Sequence, residues 1–288
     1  MISTENIIHF DKSKSKFGIE LEVTTLSAIR KIFPPIGQWP TYRHSFYIIF
    51  CVTKGKGKHF IDFDTVNLKA GDLLFLNKGC VHAFDTNKNL DGILLFFTKD
   101  FIDVNSNLGK IKYTQLFNPS LYTPIIDKTA ANSQNLVGIC NLILKEYQND
   151  LNKNTVRILG NMLELLILKA EQAKNILTKN IQSKSFAEFE KLTALVDENC
   201  TKQRKVAFYA NAMYCSTKKV NDLCRKYSNE SAKRFIDNRV VLEMKRILST
   251  KDIRINELCD VFNFDETTNL IKFFKKYTGK TPKQFSSN

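Results

Sequence analysis

The chain has 288 residues, 43% hydrophobic and 25% charged, enough for two domains with buried cores and too apolar for bulk disorder. A formal charge of +14 makes polyanions natural partners, although Lys-rich solubility alone would give the same sum. Seven Cys, an odd number with no C-x-x-C pair, point to buried free thiols in a reducing compartment rather than a disulfide framework or a zinc site.

The opening segment MISTENIIHFDKSKSK has no apolar run after its charges, so no signal peptide is expected. Apolar runs stay far below the ~20 residues of a membrane helix, and we expect a soluble cytoplasmic protein without a membrane partner. Pro34, Pro35 and Pro40 predict an irregular arm. Residues 46–52 (FYIIFCV) are rich in β-branched and aromatic side chains and predict a strand, followed by a turn at Lys54-Gly55-Lys56-Gly57. Strands are expected next over 59–63, 66–68, 73–76, 81–84 and 92–97. Turns at Lys69-Ala70-Gly71-Asp72, Asn77-Lys78-Gly79 and 87–89 separate them. Turn signals every ~8–12 residues predict an antiparallel sandwich or barrel over 1–126.

From 127 to 180 the period becomes helical. Leu136, Cys140, Ile143, Leu144 and Tyr147 recur at steps of three and four. Val156, Leu159, Leu163, Leu166, Ala170, Ala173 and Leu177 then follow an a/d seam. An antiparallel helix pair packed on the barrel would produce this pattern. The additional apolar Ile158, Met162, Leu165 and Ile167 favour a homodimer seam instead. Polar 179–185 reads as a linker into a third segment, 181–288.

That segment contains an internal repeat. Val206, Tyr209, Ala210 and Met213 match Ile255, Leu258, Cys259 and Phe262 at an offset of 49. Beyond a turn the offset is 50, so that Val220, Leu223, Cys224, Lys226, Tyr227 and Ser231 match Leu270, Phe273, Phe274, Lys276, Tyr277 and Thr281. Each copy predicts a helix-turn-helix whose second helix, about 216–227 or 266–277, enters a major groove. The faces left outside carry Thr217, Lys218, Asn221 and Arg225 in copy one. In copy two they carry Thr267, Thr268, Asn269, Lys272, Lys275 and Lys276. Short hydrogen-bonding groups at the helix start and cations beyond suit base-edge and phosphate contacts. Solvated helix faces would look similar, but the same chemistry stands in both copies. Ser216 and Asp265 are the expected N-caps, and 232–248 reads as one long spacer helix. Residues 184–288 hold 21 Lys and Arg against 13 Asp and Glu.

Residues 186–288 resemble the DNA-binding domain of the AraC/XylS family of transcription regulators. The resemblance rests on Arg239 with Met244-Lys245-Arg246-Ile247-Leu248, on Ile255 and Glu257-Leu258-Cys259, on Asn263-Phe264, and on the run from Phe274 to Thr281-Pro282. Asn229 and Asn263 replace the family's usual Gly, and Asn is the side chain that best tolerates φ > 0. Asp222 stands where relatives often place a contacting residue; it would repel phosphate but could accept from cytosine N4. Residues 46–84 are similar to the family's cupin-like effector domain, through Lys69-Ala70-Gly71-Asp72 and Gly79-x-x-His82.

The resemblance implies an α+β protein of two domains. A cupin-like antiparallel β-barrel with its helical pair is followed by an all-α domain of two helix-turn-helix motifs joined by a long helix. It also implies double-stranded promoter DNA as a partner, a small effector in the barrel, dimerisation through the helices, and RNA polymerase contact if the chain is an activator. Arg43, His44, His59 and His82 are the candidate effector contacts. The alternative is a metal-dependent cupin enzyme with an accessory nucleic-acid-binding domain. Against it, the four His include no H-x-H pair and no Glu occurs between His82 and Glu146. No catalytic residue, metal or cofactor is therefore expected, and no Gly-rich phosphate loop is present.

Overall fold

Short runs of Val, Ile, Leu and Phe broken by Gly- and Asp-containing turns fold as strands across the first hundred residues. The computed structural model describes residues 7–32, 42–84, 89–105, 116–118, 123–150, 152, 154–177, 184–250 and 253–286. The expected proline arm, part of the 87–89 loop and most of the 179–185 linker lie outside the described residues. Contacts divide the chain into a first unit, Met1–Lys179, and a second, Asn180–Asn288.

The strands of the first unit are β1 (Ile7–Ile8), β2 (Leu21–Thr25), β3 (Tyr42–His44), β4 (Tyr47–Lys54), β5 (Lys56–Ile61), β6 (Asp64–Lys69), β7 (Leu73–Leu76), β8 (Val81–Phe84), β9 (Asp91–Phe97) and β10 (Ile125–Ile126). They form two five-stranded sheets, β1-β3-β8-β5-β6 and β10-β7-β4-β9-β2. All neighbours are antiparallel except β1 and β3, which run parallel. The strand expected over 59–63 stops at Ile61, because Asp62 (φ 47) and Phe63 (φ 78) form a two-residue hairpin turn. Asp62 is fixed there by Val81. Its N–H donates to the Val81 carbonyl at 2.8 Å, and its Oδ1 accepts from the Val81 N–H at 3.0 Å.

The second sheet is buried on both faces, which explains the near-continuous apolar character of β4, β7 and β9. Ile48, Phe50 and Val52 of β4 pack with Leu74, Leu76 and Leu94 in one core. Tyr47, Ile49 and Cys51 join Leu73, Phe75, Ile93 and Leu95 in another, where helices cover the sheet. These helices are α2 (Lys99–Asn105), α3 (Lys128–Ser133), α4 (Leu136–Gln148) and α5 (Thr155–Leu177), whereas α1 (Leu26–Ile32) packs into the first core through Leu26 and Ile29. The end of α4 is capped by Lys16, whose ammonium donates to the carbonyls of Tyr147, Gln148 and Asn149 at 3.1, 2.8 and 2.9 Å.

The proposed dimer seam is corrected by this packing. Leu163 and Leu166 are 1% and 0% exposed within a single chain, and Leu159, Ile167, Ala170 and Ala173 join them in the core beneath α4 and the sheet. Each such Leu or Ile contributes ~1.5–3 kcal/mol by leaving water, so the seam is already used inside the chain. The helix pair leaves Leu142 and Leu165 outside, 55% and 46% exposed.

The second unit is helical: α6 (Lys184–Asn199), α7 (Val206–Ala212), α8 (Thr217–Ser228), α9 (Ala232–Thr250), α10 (Ile255–Val261), α11 (Thr267–Thr278) and α12 (Pro282–Ser286). The long α9 buries Phe235, Ile236, Val240, Met244 and Leu248, and packs against both copies of the repeat. It also carries buried charge in paired form. Arg239 meets Asp197 of α6 at 2.5 Å, and Asp237 is bound by Lys233 at 2.5 Å. Among the described residues no helix is long and apolar enough to cross a membrane.

Candidate nucleic-acid interface

The turn of each copy repeats in its backbone hydrogen bonds. In copy one Met213, Tyr214 and Cys215 donate to Tyr209, Asn211 and Ala210; in copy two Phe262, Asn263 and Phe264 donate to Leu258, Asp260 and Cys259. Each donor and each acceptor is shifted by the same 49 positions, and the two αL residues, Tyr214 (φ 54) and Asn263 (φ 49), coincide. Buried Ala210 and Cys259 let the first helix approach the second closely, while Phe262 fills the second turn completely. At the helix ends Asn229 (φ 57) and Gly279 (φ 76) also correspond, so Asn supplies the left-handed cap that copy two takes from Gly.

The second helices bury one stripe each. Val220, Leu223 and Cys224 are inside in α8, as are Leu270 and Phe274 in α11. Phe273, expected inside, is half-buried between the rings of Phe264 and Tyr277. Outside are Thr217, Lys218 and Arg225 in copy one, and Thr268, Asn269, Lys272, Lys275 and Lys276 in copy two, with Thr267 half-buried. Ser216 caps α8, accepting from the Lys219 N–H at 3.2 Å. Asp265 does not cap α11. The cap position is Glu266, whose side chain makes no capping bond and instead accepts from the Thr268 hydroxyl at 3.0 Å.

Asn221 has a different duty from the one its polarity suggests. Its Oδ1 accepts from the Ala232 N–H at 3.0 Å, satisfying a donor at the start of α9, and the residue is half-buried. The offset of 50 pairs it with Ile271, itself half-buried, and that pairing was the signal available in the sequence. Two neighbouring cations are also engaged. Lys219 meets Glu188 at 2.7 Å, and Lys226 donates to the Ser185 hydroxyl at 3.0 Å.

Tyr227 and Tyr277 occupy equivalent positions and anchor the two helices to different supports. The Tyr227 hydroxyl lies 2.6 Å from that of Ser185 in α6. The Tyr277 hydroxyl donates to the buried Asp237 of α9 at 2.7 Å; burial and that carboxylate push its phenol up to about 12. A further clamp joins copy two to the segment before α7. The Arg204 guanidinium lies 3.6 Å from the centroid of Phe264 and donates to the Asn263 carbonyl at 2.9 Å.

In the first unit, three of the four His converge although they are scattered in sequence. His44, His59 and His82 lie on β3, β5 and β8, all buried, with ring centroids 4.9 Å apart for His44–His82 and 5.3 Å for His59–His82. His9 is exposed. The His44 Nδ1–H donates to the Phe46 carbonyl at 2.6 Å, which leaves Nε2 to face the Cys80 thiol at 3.8 Å. Burial, then the neighbouring His44 and His59, hold His82 well below the usual imidazole range. Arg43 lies beside Gly79, whose N–H donates to the His44 carbonyl at 2.7 Å. Among the described residues no group of three or more His, Cys, Asp and Glu is placed to hold a metal ion.

A family model described as a helix-turn-helix domain matches residues 209–288, and one described as an AraC-like ligand binding domain matches 34–94. An uncharacterized protein of Aquifex aeolicus (strain VF5) is 30% identical over 87 residues, covering 28% of this chain and 72% of that protein. Among solved structures, ToxT from Vibrio cholerae covers 93% of this chain and 97% of its own at 12% identity, with a TM-score of 0.45. The C-terminal domain of the two-component response regulator yesN from Fusobacterium nucleatum covers 34% of this chain and 95% of its own, at 20% identity and a TM-score of 0.32.

Proposed function

The chain belongs to the AraC/XylS family of DNA-binding transcription regulators, and from that premise we propose that it reads promoter DNA through α8 and α11. The observation that carries this reading is the repetition itself. Two helices with one fully buried stripe each present Thr, Asn, Lys and Arg on the opposite face. Thr217 and Lys218 in copy one, and Thr267, Thr268, Asn269 and Lys272 in copy two, stand where base edges are reached. Arg225, Lys275 and Lys276 lie further along, where phosphates run.

In this reading the first unit is a sensor without catalytic turnover, acting in the cytoplasm. A small effector meets Arg43 and the His44, His59 and His82 cluster, and differential affinity of ~1–3 kcal/mol couples it to DNA binding. The cluster is closed in this conformation, so an effector has to be admitted by a change in the surrounding strands. If two copies associate through the helix pair, they do so over exposed Leu142 and Leu165 rather than the buried seam. An activator would also contact RNA polymerase.

The test is the salt dependence of duplex binding by the full chain. With ~6–8 phosphate contacts, log K should fall against log[salt] with a slope of roughly −5 to −7. Binding that stays flat from low to physiological salt would overturn the reading.

A further inference from the structure

Tyr214 stands at a position where backbone and side chain are poorly matched. The turn before α8 demands a left-handed residue, and Tyr214 supplies it at φ 54. That region is uncommon for residues with a β-carbon other than Asn and Asp, and most of all for bulky ones. Asn263 takes the same conformation in copy two and is also held from outside its turn. Its amide donates to the Lys202 carbonyl at 3.4 Å, and its own carbonyl accepts from Arg204 at 2.9 Å. Tyr214 has no such return, because the residue is 95% exposed. The folded chain therefore keeps a large aromatic in a strained conformation with no packing to offset it.

Strain that nothing inside the molecule offsets directs attention to a partner. The location narrows the choice. Tyr214 precedes Ser216, the N-cap of α8, by two residues, and the first turn of α8 exposes Thr217 and Lys218. In a helix-turn-helix the start of the second helix approaches the duplex, so the turn ahead of it lies over the phosphate backbone. We propose that Tyr214 is a DNA-contacting residue, its phenol hydroxyl donating to a backbone phosphate at the edge of the groove that α8 enters. The inference rests on the reading of α8 as a DNA-binding helix. A neutral hydroxyl on a phosphate positions the protein without reading a base, and it releases no counterion.

The experiment uses the full chain, a duplex that the wild-type protein recovers from a random-sequence library, and an unselected duplex of equal length. Tyr214→Asn keeps a residue suited to the left-handed turn; Tyr214→Phe keeps the ring and removes only the hydroxyl. Both should weaken binding to both duplexes about tenfold, as loss of a hydrogen bond to a charged group does, with the salt slope unchanged. Tyr214→Asn should at the same time raise Tm by roughly 2–4 °C, because the strain is relieved. Loss of binding together with a gain in stability separates a contact from a structural role. Wild-type affinity in either variant would overturn the proposal, and so would a lower Tm for Tyr214→Asn. If the wild-type chain recovers no duplex at all, it is the DNA-binding reading that fails.

Discussion

Copy one ties Lys219 to Glu188, Lys226 to Ser185 and Asn221 to the start of α9, and it carries Asp222 where copy two has Lys272. Copy two leaves Lys272, Lys275 and Lys276 exposed, and is braced from behind by Asp237 and Arg204. Equivalent backbones thus carry unequal chemistry. The polar groups of copy one are partly spent on holding the domain together, whereas copy two delegates that work to α9 and frees its cations. Duplication of a fold fixes where side chains can stand, and local partners then decide which of them remain available to DNA.

Removing the cations tests this asymmetry most strongly. Lys272→Ala, Lys275→Ala and Lys276→Ala together should weaken duplex binding about a hundredfold or more at physiological salt and flatten the salt slope by roughly 2–3. Lys218→Ala with Arg225→Ala should cost clearly less, and equal losses in the two variants would break the comparison. Next comes the anchoring of the helices. Tyr277→Phe leaves the buried Asp237 carboxylate short of a donor and should destabilise the second unit by ~2 kcal/mol in urea unfolding. Tyr227→Phe, beside a hydroxyl on the surface side of α6, should cost less than ~1 kcal/mol. If the two substitutions cost the same, α9 is not the special support proposed for copy two. The smallest effect is expected at Asn221. Asn221→Ala should cost ~1 kcal/mol of stability through the lost donor satisfaction at Ala232, and leave base preference unchanged. A changed preference in a random-duplex selection would return Asn221 to the reading face.

Much of the second unit was legible because two periodic signals, repeated, constrain each other. Buried stripes such as Val220, Leu223 and Cys224 fix a helix and its orientation together, and the change in offset from 49 to 50 marks the turn. The short α1, α2, α3 and α12 offered at most two turns of pattern, too little for periodicity to register. The seam on α5 was legible as an apolar stripe but not in its partner, since a sheet and a second chain ask for the same residues. In the candidate interface, polar character predicted the exposure of Lys218, Arg225, Lys272, Lys275 and Lys276 but not the half-burial of Asn221, because composition does not reveal a hydrogen bond to a residue eleven positions away. The convergence of His44, His59 and His82 was invisible for a related reason. It depends on β3, β5 and β8 sharing one sheet, with β8 between the other two.

That imidazole cluster makes the first unit a proton-linked structure. All four His lie before residue 180, in the first unit. An unfolded chain takes up a proton at His82 as pH falls through the ordinary 6.5, while the folded unit, with its imidazole held well below that value, does not. The sign follows: the unfolded state binds more protons, so stability present above pH 6.5 is lost as pH falls, by ~1.4 kcal/mol per pH unit at most, until the folded form titrates as well. Between pH 7 and 5 the thermal transition of the first unit should move down relative to that of the second. His82→Phe, which has no proton to bind, should reduce that displacement.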